Sequence, residues 1–428
     1  MHPPASNSTR MPWRWRRGHL PLPLRLLLLP FLFSLLFFLV VQSNRLAIIH
    51  RRHHSRSSSP LVNPPPLRPF QPESGLPSHD VHQRFRLYAA SAGGRRQPGS
   101  PVSAHTSKKQ RSMALMRELP RSARSRRFSE RAADFFTGHQ CRDRFFMVWL
   151  APLRGFGRRE LFAVESVFHS HPNACLLIAS VTIDSGAGAL LLKPFVDRGF
   201  RVRALAPDFA YLLSATPAAI WFKRLQRGEI DPGDISLGQN LSNLLRHALL
   251  YKYGGAYVDT DVIVLRSFTA LRNAIGAQAV DAGTQNWTRL NNAVMVFDRE
   301  HPLLYDFMKE FARSFDGRKW GHNGPYLVSR VATRVAGRAG YNFSVLPPAA
   351  FYPVGWIKIE KLFTRPQDRN QSRLVSENLD WIQRRSYAVH LWNRKSSGFK
   401  VEEGSVISRL MAACCVLCNF SASAAKAA

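Results

Sequence analysis

One uncharged, strongly apolar stretch divides the sequence and limits what its first third can fold into. Residues 26–41 contain no charged side chain, and Ser34 is their only polar residue. With the apolar residues just before them and Arg25 as a snorkelling side chain, they give about twenty residues, enough to cross a bilayer. Five arginines precede the stretch and three follow it closely, so the positive-inside rule favours a cytosolic N-terminus only modestly.

These residues predict a cytosolic tail at 1–24 and one transmembrane signal anchor at 25–42. A cleaved signal peptide is the alternative, because Pro30 shortens the uninterrupted apolar run. The anchor is favoured because the apolar region is long and no small-x-small cleavage site follows it closely.

The distribution of charge argues against the nucleic-acid partner that a net charge of +32 first suggests. Residues 1–140 hold 23 lysines and arginines against five acids, a net of +18, and the other residues hold 37 against 23, a net of +14. Residues 43–135 are rich in Pro, Ser, Arg and His without any hydrophobic period, which predicts a disordered stem. No RNP, zinc-finger or helix-turn-helix pattern occurs, so we predict no nucleic-acid partner.

The pattern changes after the stem, and residues 136–428 are predicted to form the folded, lumenal domain. Short apolar runs at 145–150 and 174–180 are typical of buried parallel strands. Between them, residues 160–172 carry apolar side chains at helical spacing and end at a proline. This alternation predicts a doubly wound α/β sheet.

Cysteines and sequons fit a secreted or lumenal domain. The cluster near the C-terminus is too incomplete for a zinc site, so disulfides are expected, and an odd count leaves one thiol over. The cysteines are Cys141, Cys175, Cys414, Cys415 and Cys418, and the downstream Asn-x-Ser/Thr sequons are at Asn240, Asn286, Asn342, Asn370 and Asn419.

The chemistry centres on residues 237–265, where a predicted helix leads into Asp259-Thr260-Asp261. Ser242 and Arg246 stand four apart on a polar face of that helix and can reach one ligand. Tyr253-Gly254-Gly255 ends the helix, since glycine adopts the left-handed conformation freely. An apolar strand is predicted through the acidic pair, so that both carboxylates point to one side and suit Mn²⁺ or Mg²⁺.

Three reactions use such a pair of carboxylates. A glycoside hydrolase needs them on opposite sides of the scissile bond. An aspartyl-phosphate phosphatase carries its pair at the first strand of the domain, whereas this pair comes about 110 residues into the folded part. A nucleotide-sugar transferase needs a metal ion beside a leaving nucleoside diphosphate, and this arrangement favours it.

These motifs, together with residues 320–331 and 388–393, resemble the α-1,4-glycosyltransferase family, whose members carry a DXD motif. The resemblance implies a GT-A type, Rossmann-like nucleotide-sugar-binding domain. It also implies that Asp259 and Asp261 bind the metal and the diphosphate. The implied donor-binding residues are Ser242, Arg246, Tyr253, Asn291, Asn292 and His390.

Three of these positions have more than one interpretation. Asn291 and Asn292 also fit a turn that enters a strand. His390 is implied as a third metal ligand, but a lone histidine on an apolar strand is often structural. Asn323 lies in a loop that the resemblance places at the sugar and acceptor site, with a catalytic role.

The resemblance implies a retaining, metal-dependent hexosyltransferase of the Golgi membrane, single-pass type II with a lumenal catalytic domain. Galactose from UDP-galactose, an α-1,4 linkage and a glycolipid or glycan acceptor are expected. Front-face displacement is the expected route, with double displacement left open. A non-catalytic scaffold and a lumenal sugar-binding protein are the alternative functions.

Overall fold

A seven-stranded mixed sheet organises residues 127–418, the part of the chain that this computed structural model describes. The strands are β1 (Arg144–Val148), β2 (Cys175–Ala179), β3 (Arg201–Leu205), β4 (Gly255–Val258), β5 (Val262–Val264), β6 (Ala274–Val280), β7 (Trp287–Phe297), β8 (Ser344–Leu346) and β9 (Ala388–His390). The helices are α1 (Phe128–Gly138), α2 (Arg158–Ser170), α3 (Gly186–Val196), α4 (Phe209–Leu212), α5 (Ala218–Gln226), α6 (Leu237–Tyr253), α7 (Pro302–Ser314), α8 (Pro325–Val335), α9 (Pro348–Phe351), α10 (Arg369–Arg385), α11 (Asn393–Ser396) and α12 (Val406–Ala413).

The predicted cytosolic tail, signal anchor and most of the stem lie outside the described residues. Between residues 127 and 418, no helix is both long and apolar enough to cross a membrane.

The sheet is parallel on one side of β4 and mixed on the other. Its strand order is β3-β2-β1-β4-β7-β6-β8. The first four strands are parallel to their neighbours, β7 is antiparallel to β4 and β6, and β8 is parallel to β6. The predicted doubly wound sheet is therefore right only in its first half. A short connection joins β6 to β7, and such hairpins make neighbouring strands antiparallel. This mixed α/β architecture agrees with the expected nucleotide-binding domain.

Alternating side chains of the central strands pack into two separate cores. In β1, Phe145 and Met147 join the core on one face, whereas Phe146 and Val148 join the core on the other. Successive strand residues point to opposite faces, so an apolar run buried on both faces reads as continuous. A third, smaller core surrounds β5 and β9, which form a separate two-stranded sheet.

The packed domain begins earlier than the predicted boundary at residue 136. In α1, Phe128 and Phe135 are buried in the core. Arg131 of the same helix forms an ion pair with Asp184 at 2.6 Å. The predicted stem therefore ends at or before Phe128. The predicted stem region thus ends in an amphipathic helix, of which four side chains are buried: Phe128, Ala132, Phe135 and Phe136.

The glycine pair between α6 and β4 turns the chain sharply, as predicted. Gly254 has φ 63° and Gly255 has φ 121°, both in the region that favours glycine. A Cβ atom on Gly254 would lie 2.7 Å from the backbone nitrogen of Arg299, and one on Gly255 would collide with the carbonyl of Arg144. This turn places β4 between β1 and β7, with its carboxyl end at the site described below.

The cysteines form two disulfides and leave one thiol, as expected. The pairs are Cys141–Cys175 and Cys415–Cys418, and Cys414 is buried and free. Among the sequons, Asn286, Asn342 and Asn370 are exposed, Asn240 is buried within α6, and Asn419 lies outside the described residues.

Candidate active site

Three side chains from distant parts of the sequence converge at the carboxyl end of β4. Asp259, Asp261 and His390 each offer one ligand atom, and these atoms lie within 4.8 Å of one another. β5 and β9 produce the convergence because they pair antiparallel, with Val262 opposite His390. We call these three residues the acidic cluster. The structure thus brings the predicted carboxylates and the implied histidine together.

The acidic pair lies in a turn, and the predicted continuous strand is wrong. β4 ends at Val258 and belongs to the large sheet, whereas β5 begins at Val262 and belongs to the small one. The backbone N–H of Val262 donates to the carbonyl of Asp259 at 3.1 Å. The carboxylates therefore converge because of the turn between two sheets. This turn is largely shielded, since Asp261 is only 9% exposed.

Arg246 and Tyr257 hold Asp259 in place. Arg246 Nη2 lies 3.0 Å from Asp259 Oδ1 and Nη1 donates to Oδ2 at 3.2 Å, while the Tyr257 hydroxyl donates to Oδ1 at 2.6 Å. Arg246 is 2% exposed and also donates to the Asn292 carbonyl and to the Ser242 hydroxyl. The guanidinium is therefore occupied by protein groups and orients Asp259. Direct donor contacts of Ser242 and Arg246 stay predictions.

Asp261 is held by a side chain and a backbone group. His390 Nε2 lies 3.3 Å from its Oδ1. The backbone N–H of Asn393 donates to Oδ2 at 2.8 Å. Trp392 between them adopts φ 56° and ψ 55°, a left-handed conformation that costs a non-glycine residue of order 1–3 kcal/mol. Its indole Nε1 donates to the carbonyl of Val354 at 2.8 Å, which helps to hold it there.

The two carboxylates have shifted proton affinities of opposite direction. Burial raises the pKa of Asp259, and the nearby charge of Asp261 adds to the rise, although Arg246 opposes it. Burial also acts to raise the pKa of Asp261, but interactions with His390 and the hydrogen bond from Asn393 outweigh it and lower that pKa. Two acids that repel each other in a shielded turn are a favourable setting for a cation.

The donor set fits a divalent metal ion. Carboxylate oxygens suit both Mg²⁺ and Mn²⁺, and an imidazole nitrogen favours Mn²⁺ of the two. The Nε2 atom of His390 faces the carboxylates, while its Nδ1 is buried without a hydrogen-bond partner in the described part of the chain. Asp259, Asp261 and His390 are therefore the residues that would hold such an ion.

The asparagine pair lies inside β7 rather than in a turn before it. The Asn291 side chain donates to Gln278 at 3.0 Å and accepts from the backbone of Ala293. The Asn292 side chain donates to Asn243 at 3.1 Å. Both are at least 95% buried, and Ala293 accepts a hydrogen bond from the backbone of Asp259 at 2.8 Å. They line the strand beside the acidic cluster, and their contact with a donor stays a prediction.

Tyr253 lies apart from the acidic cluster, and its contacts do not support the predicted donor contact. It ends α6 at the amino end of β4, and the four residues of β4, at about 3.3 Å each, separate it from Asp259. Its ring packs on Phe136 and Phe146, with centroids 5.4 and 5.9 Å away. The Tyr253-Gly254-Gly255 motif therefore ends helix α6, and the tyrosine side chain packs against the core.

The contacts of Asn323 do not support its predicted catalytic role. Its side chain is 1% exposed. It donates to Asn240 at 3.0 Å and to the carbonyl of Asp316 at 2.8 Å, and it accepts from the backbone of Asp316 at 3.1 Å. These bonds fasten the loop before α8 to α6.

Trp320 in that loop is 46% exposed, with the Arg394 guanidinium 3.7 Å from its ring centroid.

Sequence reasoning missed three contributors to the site. Tyr257 had a local signal, because it stands two residues before Asp259, and side chains two apart along an extended chain point to the same side. Asn393 follows His390 closely within a recognised motif, but its contribution is a backbone N–H. Glu160 of α2, which bonds to Asn393, is more than 200 residues away and had no sequence signal.

Two family descriptions match most of the described chain. Residues 157–281 match the glycosyltransferase sugar-binding region containing the DXD motif. Residues 296–422 match the conserved region of α-1,4-glycosyltransferases. The first match contains Asp259 and Asp261, and the second contains His390.

The relatives of this chain include a named glycosyltransferase. An uncharacterized protein of Arabidopsis thaliana is 30% identical over 68% of this chain, which spans 45% of that relative's length. Lactosylceramide 4-alpha-galactosyltransferase of Pongo pygmaeus is 35% identical over 48% of this chain and 88% of its own. The solved PaToxG glycosyltransferase is 15% identical over 54% of this chain and 80% of its own, with a TM-score of 0.33, too low to support an argument. By its sequence matches, the chain belongs to the α-1,4-glycosyltransferase family with a DXD sugar-binding region.

Proposed function

We propose that the protein is a metal-dependent, retaining hexosyltransferase that transfers galactose from UDP-galactose in α-1,4 linkage to a glycolipid or glycan. The observation that carries this proposal is the convergence of Asp259, Asp261 and His390 within 4.8 Å at the carboxyl end of β4. In open α/β sheets, ligands bind at the carboxyl ends of the strands. The galactose donor is proposed because a relative bears the name of a galactosyltransferase.

The chain's residues divide the work of this reaction. Asp259, Asp261 and His390 hold the metal ion, and Arg246 and Tyr257 fix the orientation of Asp259. When bound, Mn²⁺ or Mg²⁺ neutralises charge on the leaving UDP. Front-face displacement fits this site best, because both carboxylates of the acidic cluster already accept from protein donors, Asp259 from Arg246 and Tyr257 and Asp261 from Asn393. The acceptor hydroxyl then attacks on the face from which UDP departs.

We propose a Golgi location, with the catalytic domain in the lumen and the predicted anchor in the membrane. Two disulfides and three exposed sequons support passage through an oxidising secretory compartment. Expression in a eukaryotic cell should attach endoglycosidase-sensitive glycans at Asn286, Asn342 or Asn370, and none at the buried Asn240. A chain without glycans that stays outside the Golgi on imaging would contradict this location.

A donor and acceptor screen tests the proposed function. The purified full-length chain with Mn²⁺ is expected to transfer sugar from UDP-galactose to a galactose-terminated glycolipid or oligosaccharide, and NMR of the product should show an α-1,4 linkage. Removal of the metal with EDTA should stop turnover, and added Mn²⁺ should restore it. Transfer of another sugar would replace the donor assignment. No turnover of any UDP-sugar would favour the scaffold or sugar-binding alternatives.

A further inference from the structure

We propose that Glu160 and Arg159, at the start of α2, are positioning residues that hold the metal ligand Asp261 through Asn393. This inference rests on the proposed metal-binding role of Asp261. Neither residue has a hydrogen bond to the acidic cluster in the described part of the chain, although the charges of both interact with that of Asp261. Their hold on the position of Asp261 is transmitted through the short helix α11.

Glu160 fixes the side chain of Asn393 while it caps its own helix. One carboxylate oxygen accepts from the backbone N–H of Gly157 at 2.9 Å, and the other accepts from Asn393 Nδ2 at 3.3 Å. Glu160 is 8% exposed, so both acceptors are used and shielded from water. A glutamine at this position offers a single acceptor oxygen to the two donors.

Arg159 also forms hydrogen bonds with the short helix α11. Its Nη1 donates to the Ser396 carbonyl at 2.7 Å and approaches Asn393 Oδ1 at 3.3 Å. Its Nη2 donates to the Phe399 carbonyl at 2.7 Å, and the guanidinium lies 4.7 Å from the ring centroid of Phe363. Planar, multi-bonded arginine contacts of this kind fix a backbone more firmly than a point charge does.

Asn393, which Glu160 and Arg159 restrain, also supplies the backbone group that orients Asp261. The backbone N–H of Asn393 donates to Asp261 Oδ2 at 2.8 Å. It follows Trp392, whose left-handed conformation is strained and relaxes unless its surroundings hold it. The side-chain bonds of Asn393 to Glu160 and Arg159 supply such a restraint. Partners that orient a metal ligand commonly change metal affinity by 10–100-fold.

The decisive variant is Asn393→Ala, which keeps the backbone N–H and changes no charge but removes the link to α2. We expect the Kd for Mn²⁺, measured by calorimetry on the full-length chain, to rise about 10-fold. Glu160→Gln should raise the Kd at least as much, because it also removes a charge that interacts with Asp261. The double variant should bind Mn²⁺ no more weakly than Glu160→Gln alone, because both substitutions break one linkage. In donor turnover, the Mn²⁺ concentration that gives half-maximal activity should rise by the same factor, while the KM for the acceptor is unchanged.

Glu165→Gln is the matched control. Glu165 lies on the same helix, and one of its oxygens accepts from the backbone of Val416 and Leu417, away from the acidic cluster. This control should leave the Kd for Mn²⁺ unchanged. Equal Mn²⁺ affinity in wild type and Asn393→Ala, or additive effects of the two variants, would overturn the positioning role alone. A wild-type chain that binds no Mn²⁺ would overturn both the proposed metal site and this inference.

Discussion

Helix α6 carries two buried polar groups that differ in what surrounds them. Near its start, Asn240 bonds to Asn323, whose donor and acceptor atoms all have protein partners. Two turns later, Arg246 pairs with Asp259, which faces a second carboxylate and keeps 24% of its side chain exposed. A satisfied, fully buried amide is typical of structure. Two like charges that face each other beside a histidine, one of them partly accessible, are typical of a binding site.

Asp261→Asn should produce the largest effect, and it tests the acidic side of this comparison. The replacement keeps the shape of the side chain and removes its charge. We expect turnover of UDP-galactose to fall about 10²–10³-fold, the size commonly seen when one electrostatic contact to a developing charge is lost. The melting temperature should stay near the wild-type value. Wild-type turnover in this variant would contradict the metal-ligand assignment.

Arg246→Met should lower the free energy of unfolding, because it leaves Asp259 without its buried partner. Removal of one member of a buried pair costs on the order of 3 kcal/mol, and the partial exposure of Asp259 places the expected loss at or below that figure. Urea unfolding measures it. Arg272→Met is the control: its ion pair with Asp298 is exposed, so a change of less than about 1 kcal/mol is expected. Equal losses in the two variants would show that Arg246 is not a buried anchor.

Asn323→Ala tests the other side of the comparison. It leaves the amide oxygen of Asn240 and the backbone of Asp316 without their partners, at a cost of about 1–3 kcal/mol. Below the melting temperature, kcat should stay within a few-fold of wild type, about 1 kcal/mol in barrier. A large loss of kcat without any loss of stability would instead restore the catalytic role that the sequence motif implied.

Local patterns predicted the elements that a short window determines. The glycine pair after α6 and the apolar runs of β1 and β2 depend on neighbouring residues. The acidic pair was also recognised, because its helix, glycine turn and flanking strands lie within 30 residues. These features could be predicted because local geometry and burial on both faces leave a direct pattern in the sequence.

Features set by distant contacts could not be predicted in the same way. Pairing of β9 with β5 brings His390 to Asp261 across nearly 130 residues, and no periodicity encodes it. The antiparallel half of the sheet and the hold of Glu160 on Asn393 are of the same kind. The contacts of Tyr253 and Asn323 do not support their predicted roles, and the reason is the opposite one. A motif shared with a family contains structural residues beside reactive ones, and only burial and bonding separate them.

The smallest expected effect concerns pH and the neighbour of Arg246 on α6. His247 is fully buried and lacks a hydrogen-bond partner for either ring nitrogen among the described residues. Burial and the nearby Arg246 charge hold its pKa well below the ordinary value of 6.5. Below about pH 6.5, the His247 imidazole therefore binds a proton in the unfolded chain but stays neutral in the folded chain. This difference therefore has little effect on the free energy of unfolding well above pH 6.5, and it lowers that free energy as the pH falls below about 6.5.

His247→Leu should accordingly flatten the decline in unfolding free energy between pH 7 and 5.5 by about 1 kcal/mol. Urea unfolding at several pH values measures the slope, and His139→Gln, at an exposed position, should leave it unchanged. His171 and His301 also have pKa values lowered by burial, so some acid sensitivity persists in the variant. An unchanged slope in His247→Leu would mean that this ring is hydrated or charged in the folded protein. His247 would then share the polar environment of Arg246, its neighbour on α6.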